Sequence, residues 1–136
     1  LAHDRAHMFR AVLEGISYGI EHHFDVMREI GAEPSEIVAV GGGTKSPLWL
    51  QCVSDVTQKV QKVPAVTTGA SYGDAFLAGF GVGLFDSYDH INTWLRDIRS
   101  VEPNPENAEL YRQYYDIYLE LYRRNKDLMH AVRALA

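Results

Sequence analysis

Residues Gly41-Gly42-Gly43-Thr44-Lys45-Ser46-Pro47 have the types and spacing to meet an anion or a nucleotide. Glycines let a ligand come against the backbone, and the free N–H groups of a helix's first turn point outward. Ser46 suits the N-cap and Pro47 the first helical position, so the glycine turn hands directly to a helix start. The phosphate loop of nucleotide hydrolases needs Gly immediately before Lys-Ser/Thr and another Gly five positions earlier. Thr44 and Ala39 stand there instead. The dinucleotide pattern G-x-G-x-x-G fails as well, because Ser46 falls three places after Gly43. On local sequence, a tight strand–helix turn without a ligand stays open as the alternative.

A second stretch, Thr68 to Gly83, places five glycines in a helical window. Each costs about 1 kcal/mol relative to Ala in a helix interior. Ala70, Gly73 and Leu77 share one face there, which predicts close backbone approach to a sheet or ligand and no room for bulk at Gly73. Asp74 could serve as a magnesium or water ligand but reads better as a solvated or helix-end carboxylate, favoured by the start of that helix. His3 and His7 have the i, i+4 spacing of a metal pair, but no Glu follows His3 and no third ligand is in sight, so no metal site is assigned. Cys52 lies in Leu48-Trp49-Leu50-Gln51-Cys52-Val53, an apolar setting that predicts a buried structural thiol. Tyr111, Tyr114, Tyr115, Tyr118 and Tyr122 could form a stacking row but read better as packing of an amphipathic helix.

The elements that must position these residues follow from periodicity. From about His3 to Ile30, apolar residues at Phe9, Val12/Leu13, Ile16, Ile20, Phe24, Met27 and Ile30 predict a helix with one buried face. Gly31 sits at its C-terminal cap, and Pro34 bars continuation. Ile37-Val38-Ala39-Val40 reads as a strand buried on both faces. The helix opened by Ser46 puts Trp49, Cys52, Val53 and Val56 on one side, and a second strand is predicted over 60–66. Another helix spans about 69–83, followed by a short segment at 91–98. Asn104-Pro105 then caps a last helix to about Leu135, with apolar positions 111, 114, 118, 121, 128, 132 and 135 interrupted by Asn125. This order predicts an α/β fold.

The 136 residues suffice for one domain. A net charge of −5 is the wrong sign for a phosphate-backbone binder, so no nucleic-acid partner is expected. No apolar run reaches the ~18–20 residues of a bilayer span, so no membrane partner is expected either. The chain begins Leu1-Ala2-His3 without an initiator Met, which suggests a piece of a longer protein.

Taken in order, three segments resemble the C-terminal domain of the FGGY carbohydrate kinases, closest to their xylulokinase-like branch. Residues 5–16 resemble the family's "RA-x-LEG" helix, Val40 to Trp49 its adenosine-binding turn, and Gly69 to Gly79 the small-residue helix that follows. The tyrosine-rich last helix matches the family's ending.

The resemblance implies part of the RNase H-like C-terminal lobe of the actin-like ATPase fold: a short mixed sheet flanked by helices, with a long C-terminal helix. Residues 1–136 would be the C-terminal nucleotide-binding domain of a cytoplasmic sugar kinase, with ATP in the cleft between two lobes. The γ-phosphoryl group would pass to a pentulose-like hydroxyl, and Mg²⁺ would be held mainly through the nucleotide phosphates. By the same resemblance Gly41, Gly42 and Gly43 would lie against the phosphate and ribose region, and Thr44, Lys45 and Ser46 would approach the adenosine. The family's catalytic Asp and sugar-binding residues lie in parts this chain lacks, so no catalytic residue is assigned. Asp4, Asp25, Asp55, Asp74, Asp86 and Asp89 all stand outside that context. The chain alone is expected to phosphorylate nothing, and to self-associate through faces that would otherwise meet the missing sheet. The rival reading is a non-catalytic α/β interaction module whose glycine turns are only structural.

Overall fold

The computed structural model describes residues 2–135. Helix α1 (Arg5–Glu29) starts at Asp4, whose side chain accepts from the Ala6 and His7 amides. It ends in a Schellman turn: Ala32 N–H donates to Met27 O, Gly31 N–H donates to Arg28 O, and Gly31 takes φ +70°. Strand β1 (Ile37–Val38) leads through a 3-10 turn at Gly42–Lys45 into α2 (Pro47–Thr57). Strand β2 (Gln61–Val63), helix α3 (Ala70–Gly81), a 3-10 turn at Tyr88–Thr93 and strand β3 (Arg99–Val101) follow. A 3-10 turn at Pro105–Asn107 opens α4 (Ala108–Ala134).

The sheet order is β1-β2-β3, parallel between β1 and β2 and antiparallel between β2 and β3. Ile37 faces Gln61, and Gln61 faces Val101. The third strand is not among the sequence expectations. Its Arg99-Ser100-Val101 run carries one apolar residue, too little for a period-2 signal.

Helix α2 is the hub. Leu50, Cys52, Val53 and Val56 are buried, and α1, α4 and β3 all pack on it. Cys52 is fully buried, as its apolar setting predicts, and burial pushes its thiol pKa up. Val56 joins Tyr18, Tyr111 and Tyr115 in one cluster, with Tyr118 and Leu119 against it. The tyrosine row is therefore mostly packing; Tyr114 and Tyr122 are exposed.

Three expectations need correction. Of the α1 stripe only Leu13 and Phe24 are buried, joined by Ser17 and Tyr18 from outside it, while Phe9, Val12, Ile16, Met27 and Ile30 are exposed. The helix leans on α2 and α4, and among the described residues nothing covers its other face. Strand β1 is likewise open rather than buried on both faces: Val38 is 42% and Val40 51% exposed, because the face these two residues share is left open by the other described elements. On α4, the expected stripe is buried only at Tyr111, with Tyr115 as its buried neighbour; positions 114, 121, 128, 132 and 135 are exposed.

Helix α3 is also packed differently from expectation. Its Phe76 stacks on Phe85 and meets Trp94 edge-on, so the helix packs on its own following loop. A Cβ at Gly73 would meet nothing within 4 Å, whereas one at Gly79 would lie 2.6 Å from Phe85 Cε2. Close approach is thus required at Gly79 and not at Gly73. Gly73→Ala should raise stability by up to about 1 kcal/mol through helix propensity. Gly79→Ala should lower it by about 1–3 kcal/mol through overpacking. Chemical denaturation of the two variants checks this, and equal midpoints would contradict the packing described.

Helices α1 and α4 are joined by two polar clasps. Tyr111 Oη donates to Glu14 Oε1 at 2.9 Å and accepts from Arg10 Nη2 at 2.6 Å. Burial, reinforced by Glu14, pushes the Tyr111 hydroxyl up to about 12. Nearer the C-terminal end of α1, Asp25 accepts from both Tyr115 Oη and Arg28. Partial burial opposes ionisation of Asp25, but these two donors outweigh it and hold its pKa below the ordinary 3.8. A lowered native pKa means that the clasp's contribution is complete above about 3.8 and is lost as pH falls through the native value. Asp25→Asn should therefore reduce the fall in melting temperature with acidification in that range. An identical acid profile for the variant would refute the assignment.

Candidate functional site

The glycine turn stands at the end of β1. Ala39 N–H extends the ladder by donating to Lys62 O at 2.8 Å, after which the chain must turn sharply towards α2. Gly41 makes the turn at φ +86°, a conformation that L side chains rarely adopt. Its amide donates to Thr67 O at 2.6 Å, tying the turn to the segment leading into α3. A Cβ on Gly69 would lie 3.8 Å from Gly41 N, so the two glycine-rich stretches meet at one end of the sheet.

Thr44 points inward: it is buried, and its Oγ1 donates to Gly41 O at 2.7 Å. Ser46 Oγ accepts from Trp49 N–H at 3.3 Å, which is the expected N-cap of α2. Arg99 of β3 donates to Thr44 O at 3.4 Å and props the turn from the sheet side. Gly42 and Lys45 are exposed, and Gly41, Gly43 and Ser46 are half-buried. The six residues singled out from the sequence thus form one turn with two kinds of member. Thr44 and Ser46 spend their hydroxyls on the turn itself, while Gly42, Gly43 and Lys45 remain presented.

Beside the turn runs an open, mostly apolar groove of about 350 Å³, lined by Ile20, Phe24, Val38, Val40, Gly43 and Trp49 among others. Its apolar walls suit a flat ring, and the glycine turn at its margin suits the polar remainder of a nucleotide. Gly43 also has a structural duty that the sequence did not reveal. A Cβ there would lie 2.8 Å from Trp49 Cζ3, so a side chain would first collide with the wall of the groove and not with an approaching ligand. Trp49 Nε1 is buried without a hydrogen-bond partner, and Trp49 is the ring that Gly43 makes room for.

The other sequence candidates do not join this site. His7 Nδ1 lies 2.8 Å from Asp4 Oδ1 at the start of α1, and the His3 and His7 rings meet edge-on. Asp74 is exposed on α3. Asp55, on α2, is buried and accepts from Gln51, Asn104 and Asn107, a positioning role for the start of α4. Among the described residues no three His, Cys, Asp or Glu side chains gather as metal ligands. Sequence reading missed Arg99 and Asp55, since both act through partners about 50 residues away along the chain.

Comparison with known proteins agrees with this architecture. The family model for the C-terminal domain of the FGGY family of carbohydrate kinases matches residues 1–82. A xylulose kinase of Staphylococcus epidermidis is 37% identical over 127 residues, 93% of this chain and 26% of its own length. A xylulose kinase of Bacillus subtilis is 33% identical over 135 residues, 98% of this chain and 27% of its own. The crystal structure of xylulose kinase from Rhodospirillum rubrum superposes with a TM-score of 0.78 at 31% identity, over 96% of this chain and 27% of that one. The chain therefore spans about a quarter of the length of the relatives it matches. The mixed α/β arrangement, with its short sheet and long final helix, is that of the actin-like ATPase fold in these kinases. The family-model match and the shared fold agree, and the chain belongs to the FGGY family of carbohydrate kinases.

Proposed function

We propose that residues 1–136 form the C-terminal nucleotide-binding domain of an ATP-dependent kinase acting on a pentulose-like sugar in the cytoplasm. The observation that carries this reading is the glycine turn of Gly41–Ser46 opening onto the apolar groove beside Trp49. In this reading the adenine ring lies along the groove, with Gly41, Gly42 and Gly43 near the ribose and phosphates and Thr44, Lys45 and Ser46 near the adenosine. Thr44 and Ser46 would contribute mainly by fixing the backbone, because their side chains are already hydrogen-bonded. The ATP supplies the phosphoryl group and carries Mg²⁺ on its phosphates. The turn holds no carboxylate to bind the ion directly.

Phosphoryl transfer depends on positioning and on a base at the accepting hydroxyl. This domain would position the nucleotide and wall one side of the cleft. The sugar and the base would belong to an N-terminal lobe. Two measurements test the reading. Titration with ATP should move backbone amide resonances at Gly42 and Gly43, with AMP giving a smaller response and GTP little. Purified 136-residue chain should produce no sugar-dependent ADP above a no-protein control. Sugar-dependent turnover by the chain alone would place a catalytic base within it, and unperturbed Gly42 and Gly43 amides would remove the turn from the nucleotide site.

A further inference from the structure

We propose that Gln61 selects the base of the bound nucleotide: its side-chain oxygen, at the groove beside the glycine turn, accepts from the exocyclic amino group of a 6-aminopurine. The role rests on the proposed nucleotide site and decides which triphosphate that site prefers. Gln61 begins β2, pairs with Ile37 and Val101, and is 3% exposed. A side-chain amide buried to that degree needs partners for two donor hydrogens and for an acceptor oxygen. Both hydrogens are satisfied: Nε2 donates to Leu50 O at 2.7 Å and to Ser54 Oγ at 2.8 Å. A backbone carbonyl only accepts, so the bond to Leu50 fixes which end of the amide carries the nitrogen. Ser54 is locked in turn, fully buried with its hydroxyl donated to Val101 O at 2.9 Å. The amide therefore cannot turn over to suit a ligand without losing both bonds.

The oxygen is left over. Among the described residues no N–H or O–H donates to Gln61 Oε1, and this atom is not sealed off, unlike the unpaired Trp49 Nε1 and Glu21 Oε2. Gln61 lines the same groove as Phe24, Val38, Gly43 and Trp49. Thr44 lines it too, but its hydroxyl is spent on Gly41 O at 2.7 Å. The groove thus offers apolar walls and one fixed side-chain acceptor. A ring lying between those walls meets that acceptor best with an N–H donor at its edge. On the ring of an adenine nucleotide the 6-amino group is the only N–H donor. A 6-oxopurine presents an acceptor at that place, and two oxygens would then face each other without a proton between them. A site built to accept a hydrogen bond rejects a ligand that leaves the bond unmade.

The test compares the binding of ATP and ITP, which carries a 6-oxo group where ATP carries the amino group, to the 136-residue chain. ITP should bind about tenfold more weakly or worse, and Gln61→Leu should bring the two affinities together. The ratio is read within one protein, so a smaller folded fraction, which weakens both ligands alike, leaves it unchanged. In the unaltered chain, ATP should also shift the side-chain amide resonances of Gln61, and ITP should shift them less. Equal affinities in the unaltered chain, or a preference that survives Gln61→Leu, would overturn the role of Gln61 and leave the nucleotide site standing. Gly42 and Gly43 amides that respond to neither triphosphate would remove the site and the selection with it.

Discussion

Replacing Asp55 by Ala should cost about 3 kcal/mol or more, among the largest losses available to a single side chain here. Asp55 is 2% exposed, and its two oxygens accept three hydrogen bonds: from Gln51 Nε2 at 2.7 Å, from the Asn104 backbone N–H at 2.8 Å and from Asn107 Nδ2 at 3.0 Å. Hydrogen bonds to charged groups each contribute about 1.5–3 kcal/mol, and removing the acceptor leaves partly buried donors without a partner. The damage would also spread. Asn104 caps the 3-10 turn that begins α4, and Ser54 Oγ, one residue away, donates to Val101 O of β3. Loosening Asp55 therefore loosens the joint between α2, β3 and α4 together. Asp55→Asn keeps one acceptor oxygen and should cost clearly less than the Ala variant. Denaturant unfolding monitored by tyrosine and tryptophan fluorescence compares them. A loss below about 1 kcal/mol for Asp55→Ala would show that solvent or a neighbouring acceptor replaces the carboxylate.

The contrast between Asp55 and the glycine turn shows what the sequence could disclose. The turn is local: strand, glycines, Ser-Pro and helix are consecutive, so backbone rules placed every part of it, including the Ser46 cap and the buried Cys52 face of α2. The Asp55 joint is non-local. Its partners lie 49 and 52 residues away, and nothing in Val53-Ser54-Asp55-Val56 distinguishes a buried acceptor from a solvated one. The same limit applies to β3, to the Arg99 prop and to Gly79, which needs to be glycine only because Phe85 returns against it. The exposed stripes of α1, β1 and α4 fail in another way. Periodicity reports that a face is apolar, but not which surface covers it. Here those faces are left largely open by the other described elements, and the chain covers about a quarter of the length of its relatives.

A side chain at Gly43 should be felt twice, and the two effects can be separated. Gly43→Val should lower the stability of the chain without any nucleotide, because its Cβ would lie 2.8 Å from the Trp49 ring and force that ring, or the turn, to move. Overpacking of this kind costs about 1–3 kcal/mol. Under the proposed function, the same change in the longer kinase should raise the KM for ATP by about tenfold or more, equivalent to about 1.4 kcal/mol, and leave the KM for sugar nearly unchanged. Trp49→Leu makes room for the new side chain, and the two positions are in contact, so their effects should not add. The stability lost by Gly43→Val combined with Trp49→Leu should therefore be smaller than the sum of the single losses by about 1 kcal/mol or more. ATP affinity decides the role of the glycine. If the nucleotide itself lies against the Gly43 backbone, the KM for ATP stays raised in the double variant relative to Trp49→Leu alone. Full recovery of ATP affinity, together with recovered stability, would mean that Gly43 serves only to seat Trp49, and the close approach of nucleotide to the turn would have to be abandoned.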